Sequence, residues 1–295
     1  MHIGVAGLGG MGAAIAARLM EAGYQVTVWN RNAAKTKPLV DAGAKRAATP
    51  AELASAVEVA ITILTDGAAI EAVYNGPSGM MSGTVKGKLF IEMSTVAPKV
   101  ETDLAAKVRA KGASLVECPV GGSIAPARQG KLLGLMGAEP ADAERAKPIL
   151  TQLCRRLEHC GPVGTGAQMK LAINLPLMVA WQAYGEAFAI CRDVGWEPKR
   201  LLDLFVDTNG ANPALKNRAE MIVTMMEGRD PGPTTFSIAN AVKDLHIMLD
   251  TGTSKGIDMP VVKGTLSSFE EANKNGFGGG DGARQSVYWA QRKKS

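Results

Sequence analysis

The sequence predicts an α/β domain followed by an all-helical domain, with one long helix joining the two. Three observations carry this. Strand-like and helix-like patterns alternate over about the first 160 residues, and beyond them every pattern is helical. Ala and Gly are abundant while aromatics are only 5%, which favours helices packed closely on a sheet over an aromatic-rich β-sandwich. A length of 295 residues suits two domains of about 150 residues each.

The elements follow in order. His2-Ile3-Gly4-Val5-Ala6 is an apolar run ending at glycines, hence a buried strand, and Met11 to Glu21 repeats its apolar residues at helical spacing. Gln25 to Trp29 is a second strand. Further strands are expected at Val59–Leu64, Leu89–Glu92, Ser114–Cys118 and Leu132–Met136, with helices at Ala51–Ala56, Ala68–Tyr74, Pro98–Lys111 and Ala141–Leu153 between them. This alternation predicts a parallel sheet covered on both faces. After Gly161-Pro162-Val163-Gly164, apolar residues recur in steps of three and four from Ala167 to Val194. That stretch is expected to be the long joining helix, with Pro176 kinking or breaking it. The remaining helices are expected at Pro198–Val206, Pro213–Glu227, Ser237–Gly252 and Pro260–Asn273, with a last short helix after the Gly-rich turn 276–282.

The charge balance, 33 basic against 28 acidic residues, is +5. The basic residues are scattered, and the one tight run, Arg292-Lys293-Lys294, reads as a solvated tail. Without a basic stripe interleaved with aromatics, the surplus points to small anions rather than nucleic acid. No stretch of 18 apolar residues spans a membrane, and Met1 leads directly into a strand rather than a signal peptide. Cys118, Cys154, Cys160 and Cys191 form no C-x-x-C pair and read as reduced thiols of a cytoplasmic protein. His2, His159 and His246 are isolated in sequence, so they are expected to be structural and no metal site is expected.

Gly7-Leu8-Gly9-Gly10-Met11-Gly12 fits G-x-G-x-x-G between a predicted strand and a predicted helix. In that setting the glycines let the backbone approach a pyrophosphate, and the helix N-terminus supplies N–H groups and partial positive charge. The second strand then ends Val28-Trp29-Asn30-Arg31-Asn32, without the carboxylate that grips an NAD ribose. Arg31 can instead hold a 2′-phosphate, so NADP is expected over NAD, with Asn30 beside it in the cofactor site.

Lys170 and Asn174 lie four residues apart at the start of the joining helix and share one face of it. Lys170 is flanked by Met169, Leu171, Ala172 and Ile173. A lysine in such surroundings is disfavoured as a cation, which suits it to donate a proton near neutral pH.

Taken together, these segments make the chain resemble the β-hydroxyacid dehydrogenases, which include 3-hydroxyisobutyrate dehydrogenase, tartronate semialdehyde reductase and the glyoxylate/succinic semialdehyde reductases. The resemblance spans essentially the whole chain. It rests on Gly7 to Gly12, on Glu117-Cys118-Pro119-Val120-Gly121-Gly122-Ser123, on Gly164 to Asn174 with its G-x-G-x-x-x-K-x-x-x-N spacing, and on Lys243-Asp244-Leu245. It implies a Rossmann domain over 1–163 and an all-helical substrate and dimerisation domain over 164–295, joined by the helix at about 167–194. It further implies that Lys170 is the catalytic acid/base and that Asn174 positions the substrate. Leu64 and Thr65 would line the cofactor, Thr95 would touch cofactor or substrate, and Lys243 would reach the cofactor. Gly121, Gly122 and Ser123 would grip a carboxylate. The resemblance also implies a homodimer, or a tetramer of dimers.

Two departures stand out. The family's substrate loop usually reads D-x-P-V-S-G-G, whereas here the serine position is Gly121 and a serine follows at Ser123. The sulfolactaldehyde reductase branch carries an arginine after P-V-G, where this chain has Gly122. The second departure is Pro176. The expected activity is hydride transfer between NADP and a small hydroxyacid or its semialdehyde. Leu177, Trp181, Phe236 and Asn240 are expected to shape the pocket. An imine reductase, which commonly lacks the lysine, and a non-catalytic NADP-binding module are the rival readings.

Overall fold

The computed structural model describes residues 1–292, which fall into two compact units, the first Met1–Leu171 and the second beginning at Ala172.

The first unit is built on one nine-stranded sheet. Its strands are β1 (His2–Ala6), β2 (Gln25–Trp29), β3 (Lys45–Arg46), β4 (Val59–Thr62), β5 (Leu89–Glu92), β6 (Ser114–Glu117), β7 (Val120–Gly121), β8 (Leu132–Gly137) and β9 (Cys154–Gly161). Their spatial order is β3-β2-β1-β4-β5-β6-β8-β7, with β9 paired to β8. The helices are α1 (Gly10–Glu21), α2 (Lys37–Asp41), α3 (Pro50–Ala56), α4 (Gly67–Asn75), α5 (Pro98–Ala110), α6 (Ile124–Arg128) and α7 (Pro140–Leu153).

Successive side chains alternate across a strand, and here both faces are apolar. Val59, Ile61, Leu89, Ile91 and Val116 join the core under α1 and α7. Ala60, Phe90 and Leu115, one register step away, join the core under α3, α4 and α5. Pro50, Pro98 and Pro140 open their helices at the position where a missing N–H costs nothing. Thr49 accepts the Glu52 N–H and Asp66 accepts the Ala69 N–H, capping α3 and α4.

The order reverses between β1 and β4, whose neighbours in sequence lie on opposite sides of them. This is the Rossmann arrangement, and the crevice beyond the C-terminal ends of β1 and β4 is its ligand site.

The sheet is not wholly parallel as expected, because β8 runs antiparallel to both β6 and β7. The short connection from β6 through β7 cannot supply a crossover, so the chain returns by reversal. β3, β7 and β9 are absent from the expected elements, as are α2 and α6, and β9 is the longest of these. It is a partly exposed strand rich in charge (Arg155, Arg156, Glu158), so no apolar run marks it.

The joining helix, α8 (Thr165–Ile190), begins two residues before the expected start and ends four residues before the expected end. A 3₁₀ turn at Arg192–Val194 and Gly195, at φ +70°, close it. Pro176 does not break it. The ring removes one N–H, and the helix is assigned without interruption on both sides.

Among the described residues, the second unit continues as the helices α9 (Pro198–Val206), α10 (Pro213–Met226), α11 (Ile238–Ser254), α12 (Pro260–Ala272) and α13 (Arg284–Gln291). Asn212 and Ser237 cap α10 and α11 through the Leu215 and Asn240 N–H groups. Of the expected basic tail, Arg292 is not merely solvated: it pairs with Glu271 at 2.6 Å and lies 4.6 Å over the Trp289 ring. Lys293 and Lys294 lie outside the described residues.

Among the described residues, no helix is long and apolar enough to cross a membrane. The four cysteines are free thiols. Each histidine has a local partner: His2 bonds Thr27, His159 bonds the Ala138 carbonyl, and His246 pairs with Glu270.

Candidate active site

The glycine-rich segment runs from the end of β1 into α1. A Cβ on Gly12 would collide with the Gly7 carbonyl, so this position keeps strand and helix close. A Cβ on Gly10 would press on the Ile124 side chain at 2.6 Å. At Gly9 a Cβ would meet nothing within 4 Å, and no side chain caps the first turn of α1. An uncapped helix N-terminus beside open space is what an approaching pyrophosphate needs, so these residues fit a dinucleotide.

Asn30 and Arg31 follow β2. Asn30 Oδ1 accepts the Leu8 N–H at 2.8 Å, and its Nδ2 donates to the Asn32 carbonyl at 2.9 Å. Its side chain thereby braces the glycine-rich loop. Arg31 is exposed.

Leu64 and Thr65 follow β4, and Ser94-Thr95 follow β5. The two segments are tied together: Ser94 Oγ accepts the Leu64 N–H at 2.7 Å and donates to Glu92 Oε1. Glu92 Oε2 accepts the Ser94 N–H at 2.8 Å. Thr62 Oγ1 completes the cluster at 2.9 Å from the Tyr74 hydroxyl.

Below this cluster lie three buried carboxyls, Glu92, Glu101 and Glu117. Burial pushes all three above the usual carboxylate range, and the Glu92 charge adds to the rise at Glu101 and Glu117. Glu101 is raised well above the usual carboxylate range, burial being the largest cause and the Glu92 charge the next. Glu117 is pushed up to about 7, burial outweighing three backbone N–H groups that stabilise its anion.

Those N–H groups belong to Gly164, Gly166 and Ala167, at 2.5, 2.8 and 3.1 Å. Glu117 therefore grips the start of α8, the helix that carries Lys170. Lys170 is only 8% exposed, although Met169 and Ile173 on the same helix are 45% and 40% exposed. Such burial of a lysine is rare without a task or a partner.

Directly after Glu117 comes the expected substrate loop. Val120–Gly121 pairs with β8, Gly122 takes φ +125°, and Ser123 precedes α6. That left-handed φ requires glycine, so the arginine of the sulfolactaldehyde pattern would be strained here. Gly121 has no such constraint, and a Cβ there would rest 3.4 Å from Leu133, an ordinary contact.

In the second unit, Asp244 sits between two expected site residues. Asn174 Nδ2 lies 3.4 Å from Asp244 Oδ2, and Lys243 Nζ lies 3.0 Å from Asp244 Oδ1. Of the residues expected to shape the pocket, Trp181 is buried and faces Phe236 across Gly282. Leu177 is half-buried and Asn240 is exposed.

The structure thus groups the expected residues by backbone segment and adds Glu117, Ser94, Glu92 and Asp244, for which sequence reasoning gave no role. Their signal was position: each is a polar residue within or beside a motif, and Glu92 and Glu117 each end a buried apolar strand.

Comparison with known proteins bears on the family and the fold. Residues 2–161 match the NAD binding domain of 6-phosphogluconate dehydrogenase, and residues 164–288 match the NAD-binding region of NADP-dependent 3-hydroxyisobutyrate dehydrogenase. Glyoxylate/succinic semialdehyde reductase 1 of Arabidopsis thaliana is 31% identical over 278 residues, covering 94% of each chain. The 3-sulfolactaldehyde reductase of Escherichia coli strain K12 is 34% identical over 275 residues, covering 92% of this chain and 90% of that one. In fold, a 3-hydroxyisobutyrate dehydrogenase from Salmonella typhimurium superposes with a TM-score of 0.87 at 24% identity, covering 97% and 99% of the two chains. The fold and the matched domains are those of a nicotinamide-dependent oxidoreductase. The chain belongs to the β-hydroxyacid dehydrogenase family.

Proposed function

We propose that the protein is an NADP-preferring reductase that interconverts a small carboxylate-bearing hydroxyacid and its semialdehyde. The observation that carries this reading is the buried Lys170, one turn into a helix whose start is held by Glu117.

Gly7, Leu8, Gly9, Gly10, Met11 and Gly12 hold the dinucleotide phosphates. Asn30 braces that loop, and Arg31 takes the 2′-phosphate. Leu64, Thr65 and Thr95 line the cofactor on the same crevice. The nicotinamide, when bound, supplies or accepts the hydride. Lys170 donates a proton to the substrate's carbonyl oxygen during reduction and takes it back from the hydroxyl during oxidation. The backbone of Gly121 and Gly122, with Ser123, binds the carboxylate. The roles of Asn174 toward the substrate and Lys243 toward the cofactor rest on the family resemblance. In the 1–163 and 164–295 division, the first part carries the nucleotide loop and the carboxylate loop, and the second carries Lys170, Asn174, Lys243 and the assembly surface. Free cysteines support a cytoplasmic protein.

The test is Lys170→Ala, assayed against a panel of semialdehydes and hydroxyacids with NADPH and NADH. Turnover is expected to fall by about 10²–10⁴-fold, the usual contribution of a positioned acid, with cofactor Kd unchanged. Turnover near that of the parent would overturn the mechanism.

A further inference from the structure

A helix leaves its first backbone N–H groups without partners inside the helix, and a residue near its own N-terminus usually caps them. At α8 this is done from a distance. Glu117, 47 residues before Gly164, takes the N–H groups of Gly164, Gly166 and Ala167 with both carboxylate oxygens. The neighbouring glycines make the approach possible. A Cβ on Gly137, which pairs with Glu117 across the sheet, would collide with the Glu117 carboxylate. A Cβ on Gly166 would collide with the Leu135 carbonyl. Gly166 of the G-x-G-x-x-x-K segment therefore serves a close contact with the sheet, and Gly164, at φ +103°, serves the left-handed turn before the helix.

Glu117 also ends β6, and the chain passes from it through Cys118-Pro119 into the Gly121–Ser123 segment. One residue thus joins the helix of Lys170 to the loop proposed to bind the carboxylate. The bond set is demanding, because all three partners are donors. A carboxylate accepts from each, whereas a glutamine would turn an NH₂ group toward at least one of them.

We infer that Glu117 is a positioning residue that anchors the first turn of α8 and so sets Lys170 in register with the substrate loop. This rests on the reading of Lys170 as the acid/base. Small displacements of a catalytic group are costly, since about 1 Å is enough for roughly 100-fold in rate.

The experiment compares Glu117→Gln, Glu117→Asp and Lys170→Ala, with Glu117→Gln also made on the Lys170→Ala background. Glu117→Gln is expected to lower kcat by about 10–100-fold with KM for NADPH changed less than about twofold, since the glycine-rich loop is untouched. Glu117→Asp keeps the charge and is expected to restore kcat to within about fivefold of the parent. On Lys170→Ala, Glu117→Gln is expected to add less than about threefold, because two residues acting through one group are not additive. Hydrogen exchange by mass spectrometry is expected to rise at residues 164–171 in Glu117→Gln and to stay at the parent level over α1. A parent-like kcat in Glu117→Gln, an equal loss in Glu117→Asp, or a full extra loss on the Lys170→Ala background would each overturn the role. Unchanged exchange at 164–171 would do so independently of activity. Normal turnover in Lys170→Ala alone would instead overturn the reading of Lys170, and the positioning role with it.

Discussion

The side-chain oxygen of Asn30 accepts the backbone N–H of Leu8 at 2.8 Å, joining the end of β2 to the glycine-rich loop that follows β1. An aspartate could accept the same N–H but could not replace the Nδ2 bond to the Asn32 carbonyl, so the residue can differ in charge while keeping only the tie to Leu8.

Cofactor choice follows from this. Asn30→Asp is expected to keep the tie to Leu8, add a carboxylate for the ribose hydroxyls and repel a 2′-phosphate. Arg31→Ala is expected to weaken NADPH by about 10–100-fold, the worth of a lost charge-assisted bond, and NADH by less than about twofold. Titration of both cofactors by intrinsic fluorescence checks this. Equal losses for NADPH and NADH in Arg31→Ala would exclude it from reading the phosphate.

At the substrate loop, Ser123→Ala is expected to raise KM for the acid with little change in kcat, because that contact exists in ground and transition states alike. Gly121→Ser is expected to fold normally, since a Cβ fits beside Leu133, and to reorder preference across the substrate panel. Gly122→Ala, at φ +125°, is expected to lose about 1–3 kcal/mol of stability. Parent-like kinetics in both the Ser123 and Gly121 variants would remove the loop from the anion site.

The buried carboxyls predict a pH dependence of stability. Glu92, Glu101 and Glu117 all have folded values raised above the unfolded value, so between about pH 4.5 and 7 the folded state holds more protons. Stability from this source is complete below the unfolded value and is lost as pH rises toward the folded one. The melting temperature is therefore expected to fall from pH 5 to pH 8, by roughly 2–4 °C per kcal/mol lost. Glu101→Gln, which cannot ionise, is expected to flatten that slope and to melt no lower than the parent at pH 8. A slope identical to the parent's would show that Glu101 does not contribute.

Assembly is the fourth prediction. Ile190, Val194 and Leu204 are 84%, 55% and 51% exposed, apolar side chains that a second copy would cover in the proposed assembly. A homodimer, or a tetramer of dimers, is expected by sedimentation at micromolar concentration. A strictly monomeric mass would contradict it.

Most of the fold is legible along the chain because its signals are local. Strand runs such as Leu89–Glu92, and helices opened by Pro98, Pro198, Pro213 and Pro260, declare themselves within a few residues. The same holds for Gly7 to Gly12 and for Lys170 with Asn174, whose spacing is a property of one turn or one helix face. β9 escaped because its charged residues leave no apolar run. β7, two residues long, exists only through its pairing with β8.

The order of the main elements, the glycine-rich loop and the lysine segment follow from residue spacing along the chain. The tertiary structure alone decided what fastens them. Glu117 and Gly164 stand 47 residues apart and Thr62 and Glu92 stand 30 apart, yet their side chains and amides meet below the site. A hydrogen bond depends on position in space and leaves no period in the sequence. Only when the sheet brings the ends of β4, β5 and β6 together do these two sets of hydrogen bonds form.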